Sequence, residues 1–392
     1  MHVLVLPSWY PTPEQPVFGV FVRDQAHALR AAGHRVSVLN ARILSLRFWR
    51  KRPTGWRGGR SLTDDNGVIT GWANHWLWTP RIAPGQAWLS VHHGLALFDA
   101  YRDRYGEPQV IHAHSALHGG LLAAAIKKRF AIPYVLTEHH PKYIRNGLNS
   151  SQIKRALLAY GQADQLLAPS LRFGQLLAQR YQTDWEVQHN LVHDRFFTTE
   201  LPHRGTRANF TFICVAGLSE VKNPKLLLRA FARAFGDTDQ VRLRFMGSGP
   251  DLADLQKMRG ELGLESRVDF LGGMPPEFVP AQLAEADAYV MASNTETFCV
   301  ALAEALAMGL PAVATRCGGP EEMIHEGNGL LVPTRDLAAL AEAMRLLFRN
   351  RDRYDATLLR RDCGARFGAE RFAADLSTRF ERVTQLSRVG SK

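Results

Sequence analysis

Short β-branched runs alternate with helical runs along almost the whole chain, and the series is played through twice. In the first half, strand-like segments fall at 3–7, 34–40, 110–114, 134–138, 165–168 and 186–189, with helical periodicity most evident over 20–32 and 119–129. In the second half the strand-like segments fall at 210–216, 241–247, 268–271, 288–292, 311–315 and 330–333. Helical runs there occupy 225–235, 251–262, 276–284, 300–308, 337–348 and 351–367. Such alternation leaves few folds open, because each helix must cross back over a sheet to begin the next parallel strand. It predicts an α/β chain of two doubly wound, Rossmann-like domains. Length agrees, since 392 residues exceed what one hydrophobic core usually serves.

The domains are expected at 1–200 and 209–369, with the link in 198–208, where Pro202 and Gly205 lie among polar residues. A last helix in 370–392 carries Phe372, Leu376, Phe380 and Val383 on one recurring face and is expected to pack back on the first domain. The stretch 67–79 reads as extended and aromatic, a hairpin at the edge of the first sheet. Ligands in doubly wound folds sit beyond the carboxyl ends of the strands, which favours the cleft between the two domains.

Hydrophobic content of 46% and charged content of 22% describe a folded globular chain. No apolar run reaches the ~18 residues a membrane helix needs, and the amino terminus enters Val3-Leu4-Val5-Leu6 without a basic leader, so no signal peptide is expected. Cys214, Cys299, Cys317 and Cys363 are spaced for neither a zinc site nor a disulfide framework, which makes a reducing cytoplasm the expected location. The net charge of +11 is lopsided: residues 1–200 hold 23 Lys/Arg against 13 Asp/Glu, a net of +10. Arg47-Phe48-Trp49-Arg50-Lys51-Arg52, then Trp56-Arg57 and Arg60, interleave basic and aromatic groups. That pattern suits the anionic face of a membrane, an acidic sugar polymer, or a solvated loop; nothing else supports nucleic-acid binding.

The densest chemistry lies in Ser293-Asn294-Thr295-Glu296-Thr297-Phe298, continuing through Ala303-Glu304 to Gly309-Leu310-Pro311 and then Gly318-Gly319-Pro320-Glu321-Glu322. Glu296 and Glu304 stand eight residues apart around a strand-to-helix junction. Eight helical residues rise about 12 Å, an upper limit here because Glu296 precedes the helix. That span lets one carboxylate touch a sugar and the other the ribose of an extended nucleotide-sugar. The plainer alternative has Glu304 facing solvent, although the run 299–308 around it is too apolar for an ordinary exposed face.

These motifs in this order resemble the retaining glycosyltransferases of family 4, which have the GT-B fold of two facing Rossmann-like domains; the resemblance implies that the first, here 1–200, binds the acceptor and the second, 209–369, the nucleotide-sugar. The resemblance spans nearly the whole chain and is strongest from Phe212 to Pro333, where Glu296-x7-Glu304 matches the family's E-x7-E motif. It implies that Glu296 and the amides around Phe298 and Cys299 contact the donor sugar, and that Glu304 receives the ribose hydroxyls. Gly318 and Gly319 would permit a close turn near the ligand, with Glu322 as the final carboxylate of that motif. Cys299 departs from the family, which usually has Gly after Phe. In Ala216-Gly217-Leu218-Ser219-Glu220-Val221-Lys222-Asn223-Pro224, similar to the family's diphosphate segment, Lys222 is kept while Gly217 stands where many members have Arg.

In the first domain, Pro7-Ser8-Trp9-Tyr10-Pro11 and Phe18-Gly19-Val20-Phe21-Val22-Arg23 resemble the family's phosphate-facing loop and helix entrance. Gly19 would admit backbone close to an anion, and Arg23 meets either phosphate, acceptor or the helix surface. Thr137-Glu138-His139 resembles the histidine segment, which assigns His139 to a sugar hydroxyl or the transferring centre. His112 and His114 read as cleft-lining or structural, Asn190 as orienting a loop, and Trp72, Trp76 and Trp78 as packing or lining an acceptor pocket. The implied reaction moves a sugar from a UDP- or GDP-sugar to a glycan or lipid-linked acceptor, in bacterial surface polysaccharide or lipid-linked glycan synthesis. No cofactor or metal is expected: the histidines lack a supporting ligand set, and Asp237-Thr238-Asp239 reads as a turn. The competing readings are a GT-B epimerase or phosphorylase-like enzyme, and an inactive sugar- or membrane-binding protein.

Overall fold

The computed structural model describes residues 1–12, 15–45, 58–77, 83–201, 208–236 and 238–389. The basic-aromatic segment 47–57, Trp78, most of the expected linker and Asp237 lie outside the described residues. Two compact units emerge: Met1–His189 with Glu370–Lys392, and Asn190–Ala369.

In chain order the first unit contains β1 (His2–Leu6), α1 (Val20–Ala31), β2 (Arg35–Ser45), β3 (Gly59–Asp65), β4 (Val68–Leu77), α2 (Ala83–Tyr105), β5 (Val110–His114), α3 (Leu121–Phe130), β6 (Tyr134–Thr137), α4 (Ser150–Gln162), β7 (Gln165–Ala168), α5 (Leu171–Tyr181) and β8 (Glu186–Val187). Their sheet runs β3-β4-β2-β1-β5-β6-β7-β8, parallel except for the β3–β4 hairpin. The hairpin begins at 59, ahead of the expected 67–79, because Asn66 (φ 50°) and Gly67 (φ 82°) both adopt the positive φ of a tight two-residue turn. Strand β2 also outruns its expected end at 40, since β4 pairs with it in register to Ser45. A π-helical turn, Ser115–Gly120, leads from β5 into α3.

The second unit follows with α6 (Arg195–Thr198), β9 (Phe210–Val215), α7 (Pro224–Phe235), β10 (Val241–Met246), α8 (Leu252–Glu261), β11 (Val268–Gly272), α9 (Val279–Ala284), β12 (Ala288–Val290), α10 (Val300–Ala307), β13 (Ala312–Thr315), α11 (Pro320–Met323), β14 (Gly329–Val332), α12 (Leu337–Arg349) and α13 (Ala356–Phe367). Its sheet is parallel throughout, in the order β11-β10-β9-β12-β13-β14. Two apolar clusters cover its faces: one joins Phe212, Phe231, Phe235 and Leu347, the other Phe196, Ile213, Leu306 and Phe367. Each fully buried large side chain among them contributes about 1.5–3 kcal/mol by leaving water. The expected single helix over 351–367 is broken, because Asp355 accepts hydrogen bonds from the Thr357 and Leu358 amides and so starts α13 afresh.

The division at 189/190 falls ahead of the expected link at 198–208. Val192 donates its amide to the Phe367 carbonyl at 2.8 Å, and Val192 and Phe196 are buried in the second unit's core. The last helix, α14 (Ala369–Val389), belongs with the first unit. Phe380 meets His112 edge-on at 5.7 Å, Ser377 Oγ meets His34 Nε2 at 2.7 Å, and Arg379 and Arg382 pair with Glu186.

Candidate active site

Strand order reverses direction at β9 in the second unit, with β10 on one side and β12 on the other. A doubly wound sheet leaves an open crevice at that point, beyond the strand carboxyl ends. Lys222 lies in the loop after β9 and Glu296 in the loop after β12, and the crevice brings them together. Lys222 Nζ donates to Glu296 Oε1 at 2.6 Å and to Oε2 at 2.8 Å. Ser293 Oγ donates to Oε1 at 2.8 Å, and Thr315 Oγ1 holds the Ser293 carbonyl at 2.6 Å. Burial works against the Lys222 charge, but Glu296 outweighs it and holds the ammonium's pKa above its ordinary value. The Glu296 side chain retains 9% exposure and that of Lys222 31%. An ammonium has three donors; two go to Glu296, leaving a third for an incoming anion.

Glu296 lies ahead of α10, in an isolated parallel bridge with Gly318. Its amide donates to the Cys317 carbonyl at 2.8 Å. Gly318 and Gly319 make this approach possible: a Cβ on Gly319 would stand 2.0 Å from the Phe298 carbonyl oxygen, and one on Gly318 2.3 Å from that of Glu296. The pair therefore braces the Glu296–Phe298 loop from behind. Glu321 accepts from the Gly318 amide at 3.2 Å, whereas Glu322, the motif's final carboxylate, is half-buried on the short helix α11. Phe298 is core, 2% exposed and edge-on to Phe367. Glu304 lies half-buried on α10, flanked by buried Ala303 and Ala305. Sequence reasoning gave Ser293, Thr315 and Glu321 no role of their own; only the fold shows their contacts.

Cys299 adopts φ 85°, ψ 73° immediately before α10. A residue with a Cβ pays roughly 1–2 kcal/mol in that left-handed region, which explains why glycine suits the position. Cys299→Gly should stabilise the second unit by about 0.5–1 kcal/mol, glycine's greater unfolded-state entropy offsetting part of the relief. Urea unfolding of the two proteins checks it; a lower midpoint for the variant would show that the 3.5 Å Cys299 Sγ–Met291 Sδ contact matters more. Gly217, by contrast, needs no glycine conformation, and the nearest atom to an added Cβ is the Ser248 carbonyl oxygen at 3.9 Å.

In the first unit, strand order reverses at β1, between β2 and β5. Ser8, just beyond β1, donates its amide to His114 O at 3.2 Å and accepts at Oγ from the Gly119 amide at 3.2 Å. His139 Nε2 meets His114 Nδ1 at 3.0 Å, and Phe21 lies against its ring at 4.9 Å. Burial pushes the pKa values of His112 and His139 down to about 3 and that of His114 well below the usual imidazole range. All three rings are neutral at physiological pH, and His112 Nδ1 and His114 Nε2 are buried without hydrogen-bond partners among the described residues.

Glu138, fully buried, fixes the backbone around His139. Its Oε1 accepts the amides of His139 and His140 at 2.9 and 3.0 Å; its Oε2 accepts the Ala116 amide at 3.0 Å and the Tyr160 hydroxyl at 2.9 Å. Burial raises its pKa against the pull of those donors. Glu138→Gln turns one acceptor atom into a donor facing two donors, so a loss of about 2–3 kcal/mol in unfolding free energy is expected; an unchanged urea midpoint would contradict it.

Two expectations shift in this unit. Gly19 has φ 77°, and an added Cβ would stand 2.5 Å from the Trp9 carbonyl oxygen, so backbone packing already requires glycine there. Arg23 forms a bidentate pair with Asp65 at 2.7 and 2.9 Å, tying α1 to β3. Among the described residues, no group of three or more His, Cys, Asp or Glu is placed to hold a metal ion, and no helix is long and apolar enough to cross a membrane.

Comparison with known proteins bears directly on these crevices. The family model for glycosyl transferases group 1 matches residues 203–364, and that for Glycosyltransferase Family 4 matches residues 18–195. The chain carries a glycosyltransferase family 4 domain followed by a glycosyl transferases group 1 domain. Among its relatives, the GDP-mannose-dependent alpha-(1-6)-phosphatidylinositol monomannoside mannosyltransferase of Mycolicibacterium smegmatis is 33% identical over 34% of this chain and 37% of its own. TuaC of Bacillus subtilis, named for teichuronic acid biosynthesis, is 26% identical over 88% of both chains. The chain spans between 16% and 39% of the length of the first curated relatives it matches. Sucrose-phosphate synthase from Thermosynechococcus elongatus shares the fold with a TM-score of 0.75 at 19% identity, covering 98% of this chain and 100% of that one. Anabaena Alr3699/HepE, solved with UDP and glucose, gives 0.72 at 18% identity, covering 97% and 100%. The fold of this chain is GT-B, two Rossmann-like α/β domains.

Proposed function

We propose that this chain transfers a sugar from a nucleoside-diphosphate donor to a hydroxyl of a glycan or lipid-linked acceptor, with retention at the anomeric carbon. The observation that carries the reading is the Lys222–Glu296 pair at the β9/β12 switch point. When the bond from the anomeric carbon to the phosphate oxygen breaks, negative charge grows on the departing diphosphate, and Lys222 is the cation placed to stabilise it. The new bond joins the anomeric carbon to the acceptor oxygen, whose proton passes to the leaving phosphate. Glu296, His139 and the amides around Phe298 and Cys299 are assigned to orienting the donor sugar, Glu304 to the ribose, and the amides near Gly19 to the diphosphate. Orientation of this kind removes entropic cost from the reaction. The relatives support a nucleotide-sugar donor without choosing its base, one being named for GDP-mannose and one structure holding UDP. We place the reaction without a metal, at the inner face of a bacterial membrane in surface-glycan synthesis, with the basic first half meeting anionic lipid.

A mass-resolved screen against UDP- and GDP-sugars, with and without glycan and lipid-linked acceptors, tests this. Acceptor-dependent nucleotide release with one added sugar is the expected result. Sugar conversion without acceptor would instead identify an epimerase, and donor binding without product an inactive binder.

A further inference from the structure

The buried histidines of the first unit include one that the proposed reaction does not use, at the end of β5. His114 is 0% exposed and His139 7%. Their rings are nearly parallel, 14° apart, with His114 Nδ1 3.0 Å from His139 Nε2. Phe21 packs against the His139 ring, and the His139 amide is held by Ser115 Oγ at 3.2 Å and Glu138 Oε1 at 2.9 Å. The place of the ring is thus fixed by its neighbours. What remains to be set is which of its two nitrogens carries the proton.

Two neutral imidazoles that share one hydrogen bond have one proton between them. If His139 Nε2 supplied it, the His114 proton would sit on His114 Nε2, which is buried without a partner among the described residues. If His114 Nδ1 supplies it, His114 Nε2 keeps only an unmet lone pair. A buried N–H without an acceptor is the rarer defect in folded proteins, so the bond runs from His114 to His139. The bond made by one imidazole nitrogen decides the protonation of the other, and His139 therefore bears its hydrogen on Nδ1. We infer that His114 is a positioning residue: by donating from its own Nδ1 it holds His139 in the Nδ1–H form, so that His139 offers a hydrogen-bond donor, and not an acceptor, to an oxygen of the sugar being transferred. This rests on the transferase reading proposed above and deepens it.

Proton–nitrogen correlation spectra of the full chain, labelled at histidine nitrogen, read the tautomer of each ring at neutral pH without requiring turnover. The signals lost in His139→Gln identify that ring. Native His139 should be protonated at Nδ1. His114→Leu should move that proton to Nε2 in a measurable share of molecules, whereas His114→Asn, whose amide nitrogen falls near the Nδ1 position, should keep it on Nδ1. Rates should follow: kcat for nucleotide release falls about tenfold in His114→Leu, with acceptor KM unchanged, and returns most of the way in His114→Asn. Nε2 protonation of native His139, an unchanged tautomer in His114→Leu, or equal rates in the two His114 variants overturns the inference. The native spectrum decides the tautomer whether or not a variant folds, and thermal unfolding shows which variants do. Tautomers as expected without transfer from any nucleotide-sugar would count against the transferase reading alone.

Discussion

Lys222→Ala should lower kcat for sugar transfer by roughly a hundredfold to a thousandfold, the usual consequence of removing a group that stabilises charge in the transition state. Acceptor KM should change far less, since Lys222 lies in the second unit's diphosphate-like loop. The same substitution strands Glu296, whose side chain is nine-tenths buried. A stability loss of about 1–3 kcal/mol should accompany the kinetic defect, kept modest by the partial exposure of Lys222. Glu296→Gln keeps the side chain's size but removes the charge and one of its two acceptor atoms, so it should be milder in stability than Lys222→Ala and still severe in rate. Because the two groups act as a unit, the double variant should be little slower than the worse single one. Initial rates of nucleotide release, with urea unfolding of each protein, decide the matter. Near-normal turnover in Lys222→Ala would remove the proposed leaving-group role.

Acid should destabilise the first unit sharply. His112, His114 and His139 are neutral when folded because burial depresses their pKa values, while in the unfolded chain they take up protons near pH 6.5. The unfolded state therefore binds more protons below that pH, and folding stability falls as pH drops from about 6.5 toward the folded-state values near 3. Each ring costs about 2 kcal/mol by pH 5 at the standard linkage slope. Three together approach the whole stability of an ordinary domain. Thermal unfolding between pH 8 and pH 5 should show a steep fall beginning near pH 6.5, and His112→Asn should make it shallower. A flat profile would mean that the cluster is hydrated or shares protons in the native state.

The two Rossmann-like sheets were legible in the sequence because a parallel strand buried on both faces reads as a continuous apolar run with a helical crossover after it. Phe212–Val215 and Val3–Leu6 are examples, buried almost throughout. Helix α2, at Ala83–Tyr105, was missed because His92, His93 and Gly94 interrupt its apolar periodicity, as was strand β3, whose Gly59–Asp65 run is polar. Lys222, Glu296 and the glycine pair could be found from motif context, since each belongs to a loop directly after a strand.

What the chain's order of residues determined was the alternation of strands and helices, the family, and the identity of the charged groups at the strand ends. Tertiary structure alone decided that Lys222 and Glu296, 74 residues apart, share two hydrogen bonds, and that Glu138 supports both the His139 loop and the turn at Ala116. The physical reason is that periodicity reports only which face of its own element a residue occupies. Which groups meet across a sheet's switch point depends on strand order, and strand order is fixed by how the whole core packs.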